Sequence, residues 1–193
     1  MKKRIGVVAL LVLLAVLTVQ GTFAAYNYTS PKVHNVITSG NVSIDLIEKT
    51  DKGKPFEDIE DAMPGQEYSK IVTVKNDGYG DAYVRLEVVI NIKLKDGKTT
   101  TVPASEMLIL DINKDKWQKS GGFYYYIGGD NGILESGDTT EPLFTTVTFS
   151  PEMDNIYQGG EATIVINAYG VQSKNNEPDS GKVTDVKGWP SNT

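Results

Sequence analysis

The stretch DAYVRLEVVINIKL, residues 81–94, decides the fold class of this chain. From Val84 to Leu94 every even-numbered residue is aliphatic, and most odd-numbered residues are polar or charged. Successive side chains of a β-strand point to opposite faces, so a period of two predicts an extended strand with one apolar face. Val89 is the one residue that interrupts the polar face.

Shorter stretches with the same alternation lie on both sides of this strand, at residues 42–47, 72–74, 146–149 and 163–168. Glycine-rich and Asn/Asp-rich turn sequences separate them, among them 76–78, 128–132 and 136–138. Regularly punctuated short strands are typical of a sandwich. We therefore predict an all-β protein, an antiparallel β-sandwich of the jelly-roll type. Short helical insertions are expected, one of them within residues 103–108.

The first 25 residues, MKKRIGVVALLVLLAVLTVQGTFAA, have the layout of a secretory signal peptide. Three cations precede a 15-residue apolar run at 5–19, which is followed by a polar break and small residues. A retained membrane anchor is the alternative, but a spanning helix needs about 20 apolar residues. Cleavage after Ala24 places the small residues Thr22 and Ala24 at the positions that signal peptidases read, and makes Ala25 the mature N-terminus.

This interpretation divides the chain into four parts. Residues 1–24 are the signal peptide, 25–34 an N-terminal strand segment of donor type, 35–172 the β-sandwich domain, and 173–193 a polar tail that we expect to be largely disordered. Trp189 is the one residue that could anchor the tail. The mature 169 residues suit one domain with a full hydrophobic core.

Charge and cysteine content exclude several classes of function. The leader carries three of the 19 Lys and Arg and none of the 25 Asp and Glu, so the mature chain has 16 basic and 25 acidic residues and a net charge of −9. Such a surface argues against nucleic acid as a partner. The chain has no cysteine, which excludes disulfides, thiolate metal sites and a cysteine nucleophile.

Metal-binding motifs are weak. His34 is the single histidine, so no HExxH or three-histidine zinc site can form. Asp111, Asn113 and Asp115 have the one-three-five spacing of calcium loops, but the glycine and glutamate that an EF-hand needs at positions six and twelve are absent. We interpret these three residues as a solvated turn and expect no metal and no cofactor.

Two other clusters could serve catalysis or binding, but each also has a purely structural interpretation. Glu57, Asp58, Glu60 and Asp61 could serve acid and base chemistry only if they were held across a cleft, and a solvated loop is the favoured interpretation. The aromatic run 123–126, near Trp117, could stack on a sugar. Alternate rings of a strand face opposite ways, so packing of one pair in the core is favoured.

The order of several segments resembles the TasA/camelysin family of exported proteins, across residues 1–172. The segments are GTFAAYNYTS at 21–30, ITSGNVSIDL at 37–46, MPGQEYSKIVTVKNDG at 63–78, DAYVRLEVVI at 81–90, KWQKSGGFYYYIGG at 116–129, EPLFTTVTFSPEM at 141–153 and IVINAYGVQ at 164–172.

This resemblance implies a jelly-roll subunit of extracellular fibres, in the biofilm matrix or on the cell surface of a Gram-positive bacterium. A SipW-type signal peptidase would process it. Its partners would be further copies of itself in a head-to-tail homopolymer, and other matrix components. The mature N-terminus would add as a strand to the neighbouring subunit, and the residues of this assembly strand are Ala25, Tyr26, Asn27, Tyr28, Thr29 and Ser30.

The residues permit this role, since Tyr26 and Tyr28 project to one face of an extended chain and Pro31 ends regular pairing. Three alternatives stay open. The segment could be a frayed terminus or an edge strand of its own domain. The protein could be a monomeric adhesin or a carbohydrate-binding sandwich. Camelysin has been classed as a metallopeptidase, but this chain lacks the zinc motif, and we expect no enzymatic activity and no catalytic residues.

Overall fold

The computed structural model describes residues 26–28, 35–39 and 42–190 of the 193-residue chain. Several predictions therefore lie outside the described residues: the signal peptide, its cleavage positions Thr22, Ala24 and Ala25, the histidine His34, and Thr29 and Ser30 of the assembly strand. No helix in the described part of the chain is long and apolar enough to cross a membrane.

The described residues are mostly β-structure, which confirms the predicted fold class. The elements are β1 Tyr26–Tyr28, β2 Asn35–Ser39, β3 Ile44–Lys49, β4 Ile59–Ala62, β5 Glu67–Ser69, β6 Ile71–Asn76, β7 Ala82–Lys93, α1 Ala104–Met107, β8 Leu108–Leu110, β9 Trp117–Ser120, β10 Phe123–Tyr126, β11 Ile133–Leu134, β12 Thr146–Phe149 and β13 Glu161–Gln172. Helix α1 is the insertion predicted within 103–108. Three 3-10 turns lie at Asp130–Gly132, Asn155–Tyr157 and Val183–Asp185.

The fold-deciding stretch forms β7, at the centre of the larger sheet. Its strand order is β4-β1-β13-β7-β10-β9, with β2 also beside β13 and β11 also beside β7. Strands β7 and β13 are antiparallel partners over their full twelve residues, from Ala82 opposite Gln172 to Lys93 opposite Glu161. The other strands of the sheet pair with this ladder directly or through a neighbouring strand.

A second, antiparallel layer covers the apolar face of β7. It contains β5-β12-β8 and the pair β3-β6. Backbone hydrogen bonds from Leu143 to Val72 (2.9 Å) and from Val72 to Phe144 (3.1 Å) join the two groups. Residues that share the main core are buried between the layers, and they include Leu46, Val74, Val84, Leu86, Leu108, Phe149, Ile164 and Ile166. The molecule is an all-β sandwich.

Two N-terminal strands make the larger sheet mixed instead of purely antiparallel. Both β1 and β2 run parallel to β13. A tight turn forces neighbouring strands to be antiparallel, whereas segments more than 100 residues apart can pair in either direction. The period-two pattern that predicted the sandwich identifies faces and carries no information on direction.

The prediction of a largely disordered tail is wrong for residues 173–190. Val183 and Val186 are buried on the outer face of the larger sheet, in a cluster with Tyr83, Tyr125 and Val171. Trp189 packs at the edge of this cluster. The polar composition of the tail concealed three apolar residues at a spacing of three, and these supply enough burial to hold it on the sheet.

The charged side chain of Lys70, between β5 and β6, lies in the interior. Lys70 is 0% exposed, its Nζ lies 2.7 Å from Glu48 Oε2, and it stands 3.9 Å from the centre of the Phe56 ring. Burial lowers the pKa of Lys70, and the Glu48 carboxylate acts in the opposite direction. A carboxylate and an aromatic face thus lie against the buried ammonium group, and Asp58 raises its pKa in the same sense as Glu48.

We expect Glu48→Gln to lower the free energy of unfolding by about 3 kcal/mol, because it leaves a buried charge without its direct partner. Glu57→Gln, at an exposed carboxylate, is the control and should change it by less than about 0.5 kcal/mol. Urea denaturation measures both variants. Equal effects of the two substitutions would contradict a role for the buried pair, as would failure of Glu48→Leu/Lys70→Met to recover most of the loss.

Candidate functional site

The N-terminal strand β1 fills a slot between two strands of the larger sheet, which we call the strand slot. One wall of the strand slot is β13, parallel to β1, and the other is β4, antiparallel to it. The register pairs are Asn27 with Glu161, Tyr28 with Ala162, Tyr26 with Ala62 and Tyr28 with Ile59. Within its own chain this segment is an interior strand, whereas the sequence left open a donor strand, a frayed terminus or an edge strand.

The two walls of the strand slot are held differently. The β13 wall is backed by β7 along its whole length. The β4 wall is four residues long, stands at the end of the strand order, and within the described residues joins the sheet through β1. Without β1, backbone donors and acceptors on both walls would therefore lose their ladder partners, which is unfavourable unless water or another strand replaces them.

Small residues and a bulge shape the slot. Ala62 and Ala162 are 0% and 3% exposed, so the two walls present buried methyl groups beside β1. Between the paired positions Ile59 and Ala62, β4 has one more residue than β1, and Asp61 in this bulge has a φ of 56°. An extra residue in a left-handed conformation bends an edge strand locally.

Strand β2 continues along the same edge of β13 as β1. Residues Asn35–Ser39 pair in parallel with residues 167–171. Six residues, 29–34, separate β1 from β2, and four residues, 163–166, separate their partners on β13. Strands β1 and β2 thus run in the same direction along one edge of β13, beside residues 161–162 and 167–171, with β7 on the other edge.

The predicted cleavage site adjoins the strand slot in sequence. After removal of residues 1–24, β1 begins at the second residue of the mature chain. Of the six assembly-strand residues, Tyr26, Asn27 and Tyr28 are described, and all three lie in β1. That Tyr26 and Tyr28 act as side-chain anchors remains a prediction.

The three calcium candidates do not form a metal site. The Asp111 carboxylate accepts hydrogen bonds from the backbone N–H groups of Thr145 (2.8 Å) and Thr146 (2.7 Å). The carbonyl of Asn113 accepts from the backbone N–H of Trp117, and Asp115 is exposed. Within the described residues, no group of three or more His, Asp or Glu side chains is placed to hold a metal ion.

Two of the four acidic residues, Glu60 and Asp61, lie in a strand instead of a loop, whereas Glu57 and Asp58 precede that strand. Residues Ile59–Ala62 form β4, one wall of the strand slot. Glu57, Asp58, Glu60 and Asp61 are all exposed, so they do not face one another across a cleft. No clear sequence pattern marks β4, because its four residues contain two acids and a bulge.

The aromatic run forms β10, and its rings divide between two sides of the sheet. Phe123 and Tyr125 belong to the outer cluster with the tail, whereas Tyr124 and Tyr126 pack on the main core. Trp117 lies 5.3 Å from Tyr126, ring centre to ring centre. Each face therefore receives one pair of rings, and the four rings do not form a single stacking platform.

A polar network fixes the end of β10. The Tyr126 hydroxyl donates to Glu141 Oε2 (2.5 Å), and Lys116 Nζ lies 2.9 Å from Glu141 Oε1. The Tyr126 hydrogen bond and then Lys116 lower the pKa of Glu141. Burial, together with this carboxylate, raises the pKa of Tyr126.

Comparisons of the chain with protein-family models, with curated proteins and with solved structures find no match.

A pH series tests the Glu141 network. A carboxyl group whose pKa is lowered on folding contributes stability above its unfolded pKa of about 4.3, and this contribution is lost as the pH falls through the lower folded value. We expect the difference in Tm between the native protein and Glu141→Gln to be constant above about pH 5 and to shrink below it. Thermal denaturation followed by circular dichroism measures it. A difference that grows in acid, or one matched by Glu152→Gln at an exposed carboxylate, would contradict the assignment.

Proposed function

We propose that this protein is a secreted, non-enzymatic subunit of extracellular fibres in the biofilm matrix or on the cell surface, and that it assembles by adding its N-terminal strand to a neighbouring copy. One observation carries this proposal. Strand β1 is short and N-terminal, and the edges of β4 and β13 that face it have β1 as their hydrogen-bonded partner.

Exchange of β1 between two copies requires no binding surface other than the strand slot. A slot that accepts β1 of its own chain has the register, the walls and the small residues to accept β1 of an identical chain. The backbone hydrogen bonds are the same in both cases, so the difference in free energy between them is set mainly by the connection to β2 and by protein concentration. Exchange of an identical element between protomers is a low-cost route to assembly for this reason.

Head-to-tail growth follows from the placement of donor and acceptor. A copy that gives its β1 to a neighbour has an unfilled slot of its own, which then takes the strand of a third copy. Such a contact is heterologous, and unless the rotation between copies closes a ring, it propagates as an open fibre. Main-chain hydrogen bonds supply the affinity, as in other cases of strand addition.

The predicted leader gives cleavage a second role. As long as residues 1–24 are attached, β1 is joined within two residues to a segment suited to the membrane. Cleavage by a SipW-type signal peptidase would release the strand together with the protein. Other matrix components with a matching strand could enter the same slot.

The alternatives have less support. A carbohydrate-binding adhesin was suggested by the aromatic run, but Tyr125 and Tyr126 are buried and its rings face two ways. The peptidase alternative rests on the family resemblance alone.

Deletion of residues 25–30 from the mature protein tests the proposal. We expect filaments in electron micrographs to be lost and the sandwich to stay folded, because the β7–β13 ladder and core residues such as Val84, Leu86 and Phe149 lie outside the deleted segment. A synthetic peptide of residues 25–32, AYNYTSPK, should bind the truncated protein, and a scrambled peptide should not. Filaments formed by the truncated protein would refute strand addition.

A further inference from the structure

Tyr79 is the most exposed large hydrophobic side chain among the described residues. It lies in the loop between β6 and β7 and is 104% exposed, more than in an extended reference peptide. A tyrosine ring has a large apolar surface, and its transfer from water into a pocket is favourable. Tyrosine is also one of the residue types that most often dominate protein interfaces.

Hydrogen bonds of Asn76 hold the loop that carries Tyr79 in place. Asn76 Nδ2 donates to the carbonyls of Gly80 (2.9 Å) and Leu134 (3.1 Å), and Asn76 Oδ1 accepts from the backbone N–H of Gly78 (3.0 Å). A Cβ at Gly78 would stand 2.9 Å from the backbone nitrogen of Ser43, so the loop packs closely on that segment. A rigid loop loses little conformational entropy when its ring is buried by a partner.

An apolar hollow lies beside β9 and β10. Its apolar lining consists of Ile112, Trp117, Tyr124 and Ile127, and its volume is about 630 Å³. Pockets of this size hold groups much larger than a phenol ring. Since the Tyr79 ring is fully exposed, it does not occupy the hollow of its own chain.

The charges around the ring and the hollow are opposite. Exposed carboxylates surround the Tyr79 loop: Asp77, Asp81, Glu135 and Asp138. The segment 135–138 is tied to the loop by the bond from Ser136 Oγ to the Gly78 carbonyl (2.7 Å) and by that from the Asn76 N–H to the Asp138 carbonyl (2.8 Å). One cation, Lys75, pairs with Asp77. The lining of the hollow includes Lys114 and Lys119 and no carboxylate.

We propose that a second copy of this chain inserts Tyr79 into the hollow, with its loop carboxylates beside Lys114 and Lys119. The ring lies in the β6–β7 loop and the hollow beside β9 and β10, so the contact is heterologous and repeats from copy to copy unless a two-fold axis closes it. It uses neither β1 nor the strand slot and does not depend on strand addition. In a chain of strongly acidic composition, the two lysines give the contact its orientation.

Photo-cross-linking with isotope mixing tests the contact. Mature protein with Tyr79→p-benzoylphenylalanine is prepared in ¹⁴N and ¹⁵N forms, mixed and irradiated, and the linked peptides are identified by mass spectrometry. We expect mixed-isotope links from position 79 to residues 112–127. Links within one isotope form only, links to another surface, or the absence of links would overturn the proposal.

A charge exchange separates this contact from nonspecific association. We expect Asp77→Lys and Lys114→Glu each to lower the yield of mixed-isotope links at least fivefold. A mixture of the two variants should recover it, because the reversed loop then meets the reversed hollow. The control is Ile156→Ser, which removes another exposed apolar side chain and should leave the yield unchanged. Unchanged yields in both single variants, or no recovery on mixing, would refute the contact.

The outcome is independent of strand addition. Strand addition is tested by the deletion of residues 25–30, and its failure would leave the links from position 79 in place. Loss of these links alone would overturn the Tyr79 contact and leave strand addition intact.

Discussion

The twelve-residue antiparallel ladder between β7 and β13 is the constraint on which the other features of this molecule depend. Its inner face supplies Val84, Leu86 and Ile164 to the main core. Its free edge on β13 receives β1 and β2, and its edge on β7 receives β10 and β11. Because β13 is held along its full length, one wall of the strand slot is rigid, and an incoming strand meets a backbone already in register.

The outer face of the same ladder is partly covered by the chain's own tail. Arg85 of β7 places its guanidinium 3.9 Å from the centre of the Phe123 ring and 4.6 Å from that of Trp189. This arrangement ties the last described residues to the middle of the sheet by a cation between aromatic rings. The tail covers the part of this face around Tyr83 and Tyr125, whereas Val89 further along β7 is exposed. The short β4 edge of the sheet depends on the N-terminal strand, which is why we place assembly there.

The alternation of residues 84–94 was sufficient to predict the sandwich, because burial on one face of a strand imposes a period of two on the sequence. It could not predict the parallel pairing of β1 and β2, since the same alternation suits either direction. Strand β4 was missed because a bulged, acidic edge strand has no regular pattern. The packing of Val183, Val186 and Trp189 was missed because a polar average hides a few well-spaced apolar residues. The candidate site was thus half predictable: the family resemblance singled out the N-terminal segment, whereas both walls of its slot required the fold.

A disulfide trap at the strand slot tests the central claim most directly. The chain has no cysteine, so Asn27→Cys/Glu161→Cys introduces a single pair at opposed positions, within the distance range of a disulfide. Glu161 is exposed, which makes that position tolerant of substitution. Oxidised monomer should contain the bond within one chain, and oxidised filaments should give a ladder of covalent oligomers on non-reducing gels. Filaments in which the bond forms only within single chains would contradict the account.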